Sequence, residues 1–331
     1  MLSSRLTLAL DDGLLRLPEA GRIAVLSPSA DADLSALPKE RVQVISRWFP
    51  VHEAFLQAGY DVAIAPSGRY ATSVLCLPRA KAESRASVAA ALSVTDGPLW
   101  IDGQKTDGVE SLLKDLRKRG DVGDVVVKAH GKLFSVEDAD VADWVGQPGS
   151  ITSETGEAFQ TAPGVFSADG VDPGSFALAE ILPRDLKGHV IDLGAGWGYL
   201  GAAILRSEKV TRLDLVEADH TALEAARANI SDPRAEFHWA DAQNIRCDRA
   251  DHVVTNPPFH TGRAAEPSLG QNFILAAARL LKPKGRLWLV ANRHLPYERT
   301  LESAFREVRT LSETQGYKIT EARAPRALSK G

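Results

Sequence analysis

The chain has 331 residues, whereas a domain of ordinary size has roughly 100–150, so its length predicts two domains. Hydrophobic residues make up 44% of the chain and charged residues 25%, as in globular proteins, which excludes disordered, collagen-like and coiled-coil chains. The 39 basic and 43 acidic side chains give a formal net charge of −4, so a polyanion could be bound only by a local basic patch.

The two cysteines, Cys76 and Cys247, are too few for a disulfide framework. No cluster of cysteines and histidines has the spacing of a zinc site, so we expect no metal. The sequence contains no apolar run of about 18 residues, and Asp11 and Asp12 interrupt its apolar beginning, which argues against a membrane span and a signal peptide. These features predict a cytoplasmic protein.

Short apolar, β-branched segments alternate with helical patterns along the whole chain, which is typical of a parallel α/β fold. In the first half, strands are predicted at residues 23–26, 42–45, 62–65, 73–77, 99–101 and 125–127. Helices are predicted between them, at residues 52–57, 80–92 and 108–119.

The second half repeats this alternation. Its predicted strands are residues 189–193, 212–216, 235–239, 252–255 and 285–291, with a terminal pair within 309–322. Its predicted helices are residues 199–207, 220–230, 269–281 and 296–307. Between the halves, residues 144–161 are rich in glycine, with proline and serine and little periodicity, as in linkers. We therefore predict one domain at 1–150 and a second at 151–331.

Residues 189–201 (HVIDLGAGWGYLG) predict a buried strand, a glycine turn and the start of a helix. Glycines at 194, 196 and 198 permit positive φ angles and let a ligand lie against the main chain, toward which the helix amides point. Glu217 ends the next strand, where a carboxylate can accept both hydroxyls of a ribose. Asp241 follows the third strand and could accept from an adenine amino group.

Two cofactors fit this pattern. Gly196-x-Gly198-x-x-Gly201 matches the dinucleotide fingerprint, with Glu217 about 20 residues further on, so NAD is an alternative. Asp192 favours S-adenosylmethionine, because a carboxylate at the mouth would attract its ammonium group and sulfonium and repel a pyrophosphate. An ordinary structural turn is the remaining alternative. The predicted cofactor-binding residues are Asp192, Gly194, Ala195, Gly196, Gly198, Glu217, Ala218, Asp241, Ala242 and Asn256.

The fourth strand of the second half is followed by Asn256, Pro257, Pro258 and Phe259. The prolines end the strand and stiffen the backbone, which a plain turn would also do. At the carboxyl end of a strand beside the glycine turn, however, the Asn256 amide oxygen and the Pro257 carbonyl could accept from one amino group. Phe259 offers a face for a planar base. Such positioning directs an amine lone pair at a methyl donor, so these four residues are the predicted catalytic residues.

Charge is distributed unevenly along the chain. From residue 279 to the end, twelve basic residues stand against five acidic ones. In the first half, four basic residues lie near the end of the strand at 73–77: Arg69, Arg79, Lys81 and Arg85. Both groups could contact phosphates, or could simply be solvated helix surfaces.

These motifs resemble those of a known family. Asp192-x-Gly-x-Gly-x-Gly198, Glu217, Asp241 and Asn256-Pro-Pro-Phe259 resemble class I S-adenosylmethionine-dependent methyltransferases that act on planar amines. With His260, the last motif is similar to that of the bacterial ribosomal RNA guanine-N2 methyltransferases of the small-subunit RsmC type and their large-subunit relative. Residues 163–175 and 291–297 add to the similarity, although Pro173 and Phe176 depart from the common pattern.

The resemblance implies an α/β fold of two tandem Rossmann-like, methyltransferase-type domains. Residues 77–83 resemble the amino-terminal domain of the family, a degenerate copy without a cofactor site. The second domain would hold a seven-stranded, mostly parallel sheet whose last hairpin is antiparallel. The resemblance further implies that residues 256–259 hold the guanine amine, and that Phe166 and Asp169 line the cofactor or base pocket.

The expected function is methyl transfer from S-adenosylmethionine to guanine N2 of ribosomal RNA, with the 16S rRNA of the small subunit favoured. Adenine N6 and a protein glutamine are alternative acceptors within the class. A non-catalytic ribosome-assembly factor that keeps the fold is an alternative from another class. We expect ribosomal RNA or a ribosomal subunit as partner, no membrane or metal, and a monomer.

Overall fold

The computed structural model describes residues 2–258, 267–314 and 316–326. The chain divides into two compact units, Met1–Pro148 and Gly149–Gly331. The division falls two residues before the predicted boundary, and each unit is described by itself.

The first unit begins with a helix and continues as alternating strands and helices. Its helices are α1 (Leu2–Asp11), α2 (Phe49–Gln57), α3 (Lys81–Val94) and α4 (Val109–Leu116). Short 3-10 turns occupy Lys39–Arg41, Lys105–Asp107 and Ala142–Trp144. Its strands are β1 (Ile23–Leu26), β2 (Val42–Ile45), β3 (Asp61–Ala63), β4 (Thr72–Cys76), β5 (Leu99–Gln104), β6 (Asp121–Val122), β7 (Val126–Lys128) and β8 (Gly131–Glu137).

Within residues 2–148 these strands form one sheet in the order β3-β2-β1-β4-β5-β8-β6, with β7 also paired to β8. The strands from β3 to β5 are parallel, and β8 runs antiparallel to β5. Every residue of β1 and β2 is buried, as expected for parallel strands covered on both faces.

The second unit opens with a hairpin and a helix. Its helices are α5 (Pro173–Ile181), α6 (Tyr199–Leu205), α7 (His220–Asn229), α8 (Pro267–Leu280) and α9 (Glu298–Ala304). The hairpin consists of β9 (Gly149–Thr152) and β10 (Ala158–Thr161). The main strands are β11 (Gly188–Leu193), β12 (Val210–Glu217), β13 (Ala235–Trp239), β14 (Ala250–Thr255), β15 (Leu281–Asn292), β16 (Phe305–Thr314) and β17 (Tyr317–Pro325).

In the described part of this unit, seven strands form a sheet in the order β13-β12-β11-β14-β15-β17-β16. The first five of these are parallel and β17 is antiparallel to both its neighbours. The two sheets share one strand order, with an antiparallel strand after the fifth. This confirms the predicted α/β fold of two methyltransferase-type units.

Each strand predicted from the sequence is present, with ends that differ by up to four residues. The predictions missed α1, β6, β8, the β9–β10 hairpin and α5. The segment that forms β9 and β10 has the sequence features of a linker, because it is rich in glycine and its strands have only four residues each. The start of the chain, considered only as a possible signal sequence, is a helix that buries Leu2, Leu6 and Ala9.

Adjacent residues of the central strand β11 face opposite sides of the sheet. Val190 packs into the hydrophobic cluster beneath α5 and α6, whereas Ile191 and Leu193 pack into the cluster beneath α8. Because side chains alternate along a strand, Asp192 lies on the same face as Val190. The carboxyl group of Asp192, near the end of β11, therefore lies beneath the start of α6.

Candidate active site

The glycine turn after β11 has the backbone that its sequence predicts. Gly194, Gly196 and Gly198 have φ angles of +81°, +55° and +93°. A Cβ at Gly198 would lie 3.0 Å from Ile230 Cδ1, so this glycine permits close packing as well as the turn. A Cβ at Gly196 would meet nothing within 4 Å, so the turn leaves open space beside its middle glycine.

Glu217, at the end of β12, holds the turn in place. One carboxylate oxygen accepts from the Gly196 amide at 2.8 Å and the other from the Asp219 amide at 2.8 Å. Burial raises the pKa of Glu217. Each oxygen keeps a second lone pair, so the predicted contact to a ribose is compatible with these hydrogen bonds.

Asp192 does not lie where the sequence analysis expected it. The prediction put its carboxylate at the mouth of the site, but the residue is 0% exposed and lies below the turn, with Oδ2 3.5 Å from a Cβ built at Gly201. Burial, and secondarily the charge of Glu217, raises the pKa of Asp192 to about 8. A neutral carboxyl group would not repel a pyrophosphate, so the electrostatic argument against NAD does not hold in the form given.

The buried carboxyl group is nevertheless unusual. By strict hydrogen-bond geometry neither Oδ1 nor Oδ2 of Asp192 has a partner among the described residues, and only the Gly201 amide is close enough to offset part of the rise in its pKa. Buried polar atoms are satisfied in most native proteins, and an exception calls for an explanation. An unpaired acid beneath an open glycine turn fits a cationic ligand such as a sulfonium amino acid, which favours the ionised carboxylate.

The Asn-Pro-Pro element reaches the same end of the sheet. In the β11–β14 register Asp192 pairs with Val254, and the Thr255 hydroxyl donates to the Leu193 carbonyl at 2.6 Å. This register places Asn256 beside the start of the glycine turn. The Asn256 Nδ2 donates to Asp172 Oδ2 at 2.8 Å and to Ser175 Oγ at 2.9 Å.

One cleft brings the two motifs together. Its lining residues are Phe166, Ser167, Asp172, Ser175, Gly194, Ala195, Gly196, Trp197, Tyr199, Leu200 and Asn256. Thus the middle of the glycine turn, Asn256 and Phe166, which were predicted separately, share a surface. Pro257 is buried and Pro258 is exposed. Phe259, the fourth predicted catalytic residue, lies outside the described residues.

The other predicted residues are placed less directly. Asp241 follows β13, and its two carboxylate oxygens accept from the Gln243 amide at 2.9 Å and from Asn244 Nδ2 at 2.7 Å. Asp169 is exposed and is not among the residues that line the cleft. The remaining two flank the acidic positions: Ala218, whose carbonyl accepts from Trp239 Nε1 at 2.9 Å, and the buried Ala242. The cofactor contacts of all four stay predictions.

Asp172 and Ser175 were missed by the sequence analysis. Asp172 caps α5 by accepting from the Ser175 amide at 2.8 Å, and Pro173 occupies the first turn of that helix. An aspartate followed by a proline is a common helix start, so the pattern Asp-Pro-x-Ser could have predicted α5. The departure at Pro173 is therefore compatible with the local fold.

The corresponding position in the first unit lacks the acidic pair. Ser27 occupies the place of Gly194. Its amide donates to the Ile45 carbonyl of β2 at 2.9 Å, as the Gly194 amide donates to the Val216 carbonyl of β12 at 2.9 Å. By the same alignment, Val25 stands where the second unit has Asp192, and Ser46 stands where it has Glu217. An apolar side chain and a hydroxyl cannot replace two carboxylates, which agrees with a degenerate copy.

Three of the four basic residues singled out in the first half are ion-paired. The pairs are Arg69–Asp96 at 2.5 Å, Arg79–Asp107 at 3.6 Å and Arg85–Asp115 at 2.7 Å. Lys81 is exposed. Pairing with neighbouring acids favours the structural interpretation of these arginines.

One group of side chains in the described residues could ligate a metal: Asp214, Glu236 and His238. Arg212 donates to Asp214 at 3.0 Å and to Glu236 at 2.9 Å, so a guanidinium already neutralises both carboxylates. Within residues 2–258, 267–314 and 316–326, no helix is long and apolar enough to cross a membrane.

Comparison with known proteins agrees with this geometry. Residues 156–321 match the methyltransferase small domain family. A ribosomal RNA small subunit methyltransferase C of Shewanella sp. (strain MR-7) is 31% identical over 281 residues, which are 82% of each chain. A protein of the same name from Hahella chejuensis is 30% identical over 326 residues, covering 92% of this chain and 94% of its own.

A solved structure is similar over most of its length. The T. thermophilus 16S rRNA N2 G1207 methyltransferase (RsmC), in complex with AdoMet and guanosine, has a TM-score of 0.78 and 28% identity. The match covers 93% of this chain and 89% of that one. The family resemblance drawn from the motifs is thereby confirmed. The chain belongs to the methyltransferase small domain family and, within it, to the family of the ribosomal RNA small subunit methyltransferases C.

Proposed function

We propose that this enzyme transfers a methyl group from S-adenosylmethionine to the exocyclic N2 of a guanine in 16S ribosomal RNA. The observation that carries the proposal is the shared cleft: the open glycine turn and Asn256 face one space at the carboxyl end of the sheet. Guanosine and AdoMet in the related T. thermophilus enzyme support this choice of acceptor and cofactor.

The residues of the chain have distinct roles in this proposal. The cofactor would be held by the turn from Gly194 to Gly198, by Glu217 and by Asp241, and when bound it supplies an electrophilic methyl group on a sulfonium. Asn256 Oδ1 and the Pro257 carbonyl accept the two hydrogens of the guanine amine and direct its lone pair. Phe259, which lies outside the described residues, is predicted to stack on the base. No strong base is required, because the nitrogen becomes acidic once it is alkylated.

Alternatives differ in what they predict. An adenine-N6 or protein-glutamine acceptor would use the same amine-orienting groups, and the nature of the product separates these cases. NAD chemistry is not supported by the family, although the turn alone would admit it. The proposed setting is the cytoplasm, where ribosomal RNA is processed, and the enzyme would act as a monomer without a metal.

The test is transfer of a tritiated methyl group to small ribosomal subunits and to stripped 16S rRNA, followed by mass spectrometry of the nucleosides. We expect N2-methylguanosine as the product. Label in N6-methyladenosine or in ribosomal protein would contradict the proposed acceptor. Absence of transfer to both substrates, with S-adenosylhomocysteine binding absent as well, would favour an assembly factor.

Asn256→Ala provides the corresponding variant. It removes an acceptor that orients the amine, so we expect the methylation rate to fall about 10²–10³-fold, as when a preorganised hydrogen bond is lost from an active site. Calorimetry should show S-adenosylhomocysteine binding close to that of the parent protein. Unimpaired turnover would remove Asn256 from the mechanism.

A further inference from the structure

We infer that Asp172 is a positioning residue that decides which side of the Asn256 amide faces the substrate amine. This inference rests on the proposed function. A side-chain amide has an oxygen and an NH2 group of similar shape, and only the oxygen can accept from a guanine amine. Something in the site must therefore select one of the two orientations.

The contacts of Asn256 supply that selection. Its Nδ2 lies 2.8 Å from Asp172 Oδ2, and an ionised carboxylate has no hydrogen to donate. In the flipped orientation two oxygens would face each other at this distance. Asp172 is only 9% exposed, so solvent screens such a repulsion poorly.

Asp172 is itself held rigidly. The same Oδ2 accepts from the Ser175 amide at 2.8 Å as the cap of α5. Ser175 Oγ lies 2.9 Å from Asn256 Nδ2, but a hydroxyl can either donate or accept, so it does not select an orientation by itself. The carboxylate therefore directs Asn256 Oδ1 away from itself. The amide oxygen is left for the substrate.

The decisive variant is Asp172→Ser. Serine caps a helix about as well as aspartate, so its hydroxyl can accept from the Ser175 amide and α5 should be retained. A hydroxyl can donate as well as accept, so it permits both orientations of Asn256, and the flipped one presents an NH2 group to the substrate amine. We expect kcat to fall about tenfold, as when a group that positions an active-site residue is lost, with S-adenosylhomocysteine affinity changed less than about threefold.

Two comparisons make the result specific to the amide. Asp172→Asn is the conservative variant: the oxygen that caps α5 also accepts from Asn256 Nδ2, so it should keep kcat within about threefold of the parent. In the Asn256→Ala background, Asp172→Ser should have no further effect on the residual rate, because its action passes through Asn256. An effect on kcat that persists in this background, or parent-like kcat in folded Asp172→Ser, would overturn the inference.

The failure of this inference is distinguishable from failure of the proposed function. The product of the parent enzyme tests the acceptor, whereas Asp172→Ser is compared with the parent on whatever amine is methylated. A loss of kcat accompanied by equal losses of cofactor affinity and thermal stability would indicate a structural role for Asp172. That outcome would also overturn the inference.

A second surface carries an independent proposal, which also rests on the proposed function. We propose that a basic cavity at the amino ends of β11, β14 and β15 binds phosphates of the ribosomal RNA outside the target nucleotide. The cavity has a volume of about 1090 Å³. Five cations and two carboxylates line it: Lys187, Lys209, Lys282, Lys284, Arg286, Asp185 and Asp251.

Most of this positive charge is not neutralised. Lys282 pairs with Asp251 at 2.8 Å, and Arg286 lies 3.3 Å from a carboxylate of β17. Lys187, Lys209 and Lys284 are exposed and make no ion pair with any residue that the structure describes. A concave surface with an excess of positive charge, here five cations against two carboxylates, concentrates the positive potential, so a chain of net charge −4 can still bind a polyanion here.

The test is the salt dependence of binding to 16S rRNA. Replacing Lys187, Lys209 and Lys284 together by alanine should weaken RNA binding at least about tenfold. It should also reduce the steepness of the plot of log binding constant against log salt concentration by up to about three, one for each lost phosphate contact. The matched control replaces Lys105, Lys114 and Lys118, exposed lysines of the first unit, and should leave the slope unchanged. An equal effect of both triple variants would overturn the proposal. Inorganic phosphate that binds the protein at millimolar concentration without competing with RNA would overturn it as well.

Discussion

Asp192 shows how one residue can have a property that its motif does not indicate. The carboxyl group belongs to the Asp-x-Gly-x-Gly pattern, yet it is wholly buried, and no described residue makes a hydrogen bond of ordinary geometry with it. Its pKa of about 8 means that the unliganded protein holds a proton there that the unfolded chain, with an ordinary value near 3.8, has lost. Without a ligand, the buried carboxyl group of Asp192 is therefore held in its neutral, protonated form.

A pH titration of stability tests this reading. Since the pKa of Asp192 is raised by folding, its contribution is fully present below about 3.8 and is lost as the pH rises to about 8. We expect the stability of Asp192→Asn relative to the parent to rise by about 1.4 kcal/mol for each pH unit, up to about 4 kcal/mol between pH 5 and pH 8, and to level off above pH 8, where the parent buries a charge. Glu217, whose pKa is also raised, acts in the same direction in both proteins. Chemical unfolding without cofactor, with parallel pH profiles for the two proteins, would contradict the expectation.

At the scale of structural elements, the glycine turn uses its glycines for different purposes. Gly198 has atoms of Ile230 and Ala226 at 3.0 and 3.2 Å from a built Cβ, whereas Gly196 has none within 4 Å. Packing therefore requires a glycine at position 198. Position 196 has room for a side chain, so the role of Gly196 is to keep the surface of the turn open.

The pair of substitutions separates these roles. Gly198→Ala should lower the free energy of unfolding by about 2–4 kcal/mol, from the left-handed backbone and the contacts together. Gly196→Ala has only the backbone cost of about 1–2 kcal/mol, but its methyl group projects into the cleft and should weaken S-adenosylhomocysteine binding at least tenfold. Chemical unfolding and calorimetry measure the two effects. Equal losses of stability in both variants would refute this division.

The amino-terminal helix is held by a buried ion pair. Arg5 Nε and one terminal nitrogen contact the two oxygens of Asp102 at 2.5 and 2.8 Å, and the other terminal nitrogen donates to the Lys128 carbonyl at 3.0 Å. Gly131 leaves room for the guanidinium, since a Cβ there would lie 2.4 Å from it. The Arg5 guanidinium thus ties α1 to β5 and to β7.

Arg5→Met should cost about 3–5 kcal/mol of unfolding free energy, because it leaves Asp102 charged and unpaired in the interior. Replacing both residues, as Arg5→Met with Asp102→Leu, should recover most of that loss, since no buried charge then remains. Denaturant unfolding of the two single variants and the double variant measures the coupling. Additive losses would show that the pair does not act as a unit.

At the scale of the whole molecule, the two units have the same strand order but only the second has the acidic pair at the turn. A ligand that binds the second unit should protect that unit alone. At about 100 times its Kd, S-adenosylhomocysteine should raise the opening free energy of amides in residues 149–331 by up to about 2.7 kcal/mol. Hydrogen exchange measured by mass spectrometry resolves the units. Protection of β1 and β2, or protection by NADH, would contradict a degenerate first unit and a methyltransferase site.

Much of this protein could be predicted from local sequence. The parallel strands, the glycine turn and the Asn-Pro-Pro element are each specified by neighbouring residues, through apolar runs, positive φ angles and fixed proline torsions. The family and its cofactor chemistry followed from these motifs. The short strands β9 and β10 and the helix α5 have weaker local signals and were missed.

Only the tertiary structure determined that Asp192 is buried and how the side-chain amide of Asn256 is oriented. A strand covered on both faces carries no alternation of polar and apolar residues, so its sequence does not tell which positions lie deepest. The contact between Asn256 and Asp172 joins residues 84 positions apart, and only the folded chain brings the start of α5 to the residue that follows β14. Local patterns thus determined which chemical groups the site contains, whereas the folded chain determined their protonation and the direction in which they face.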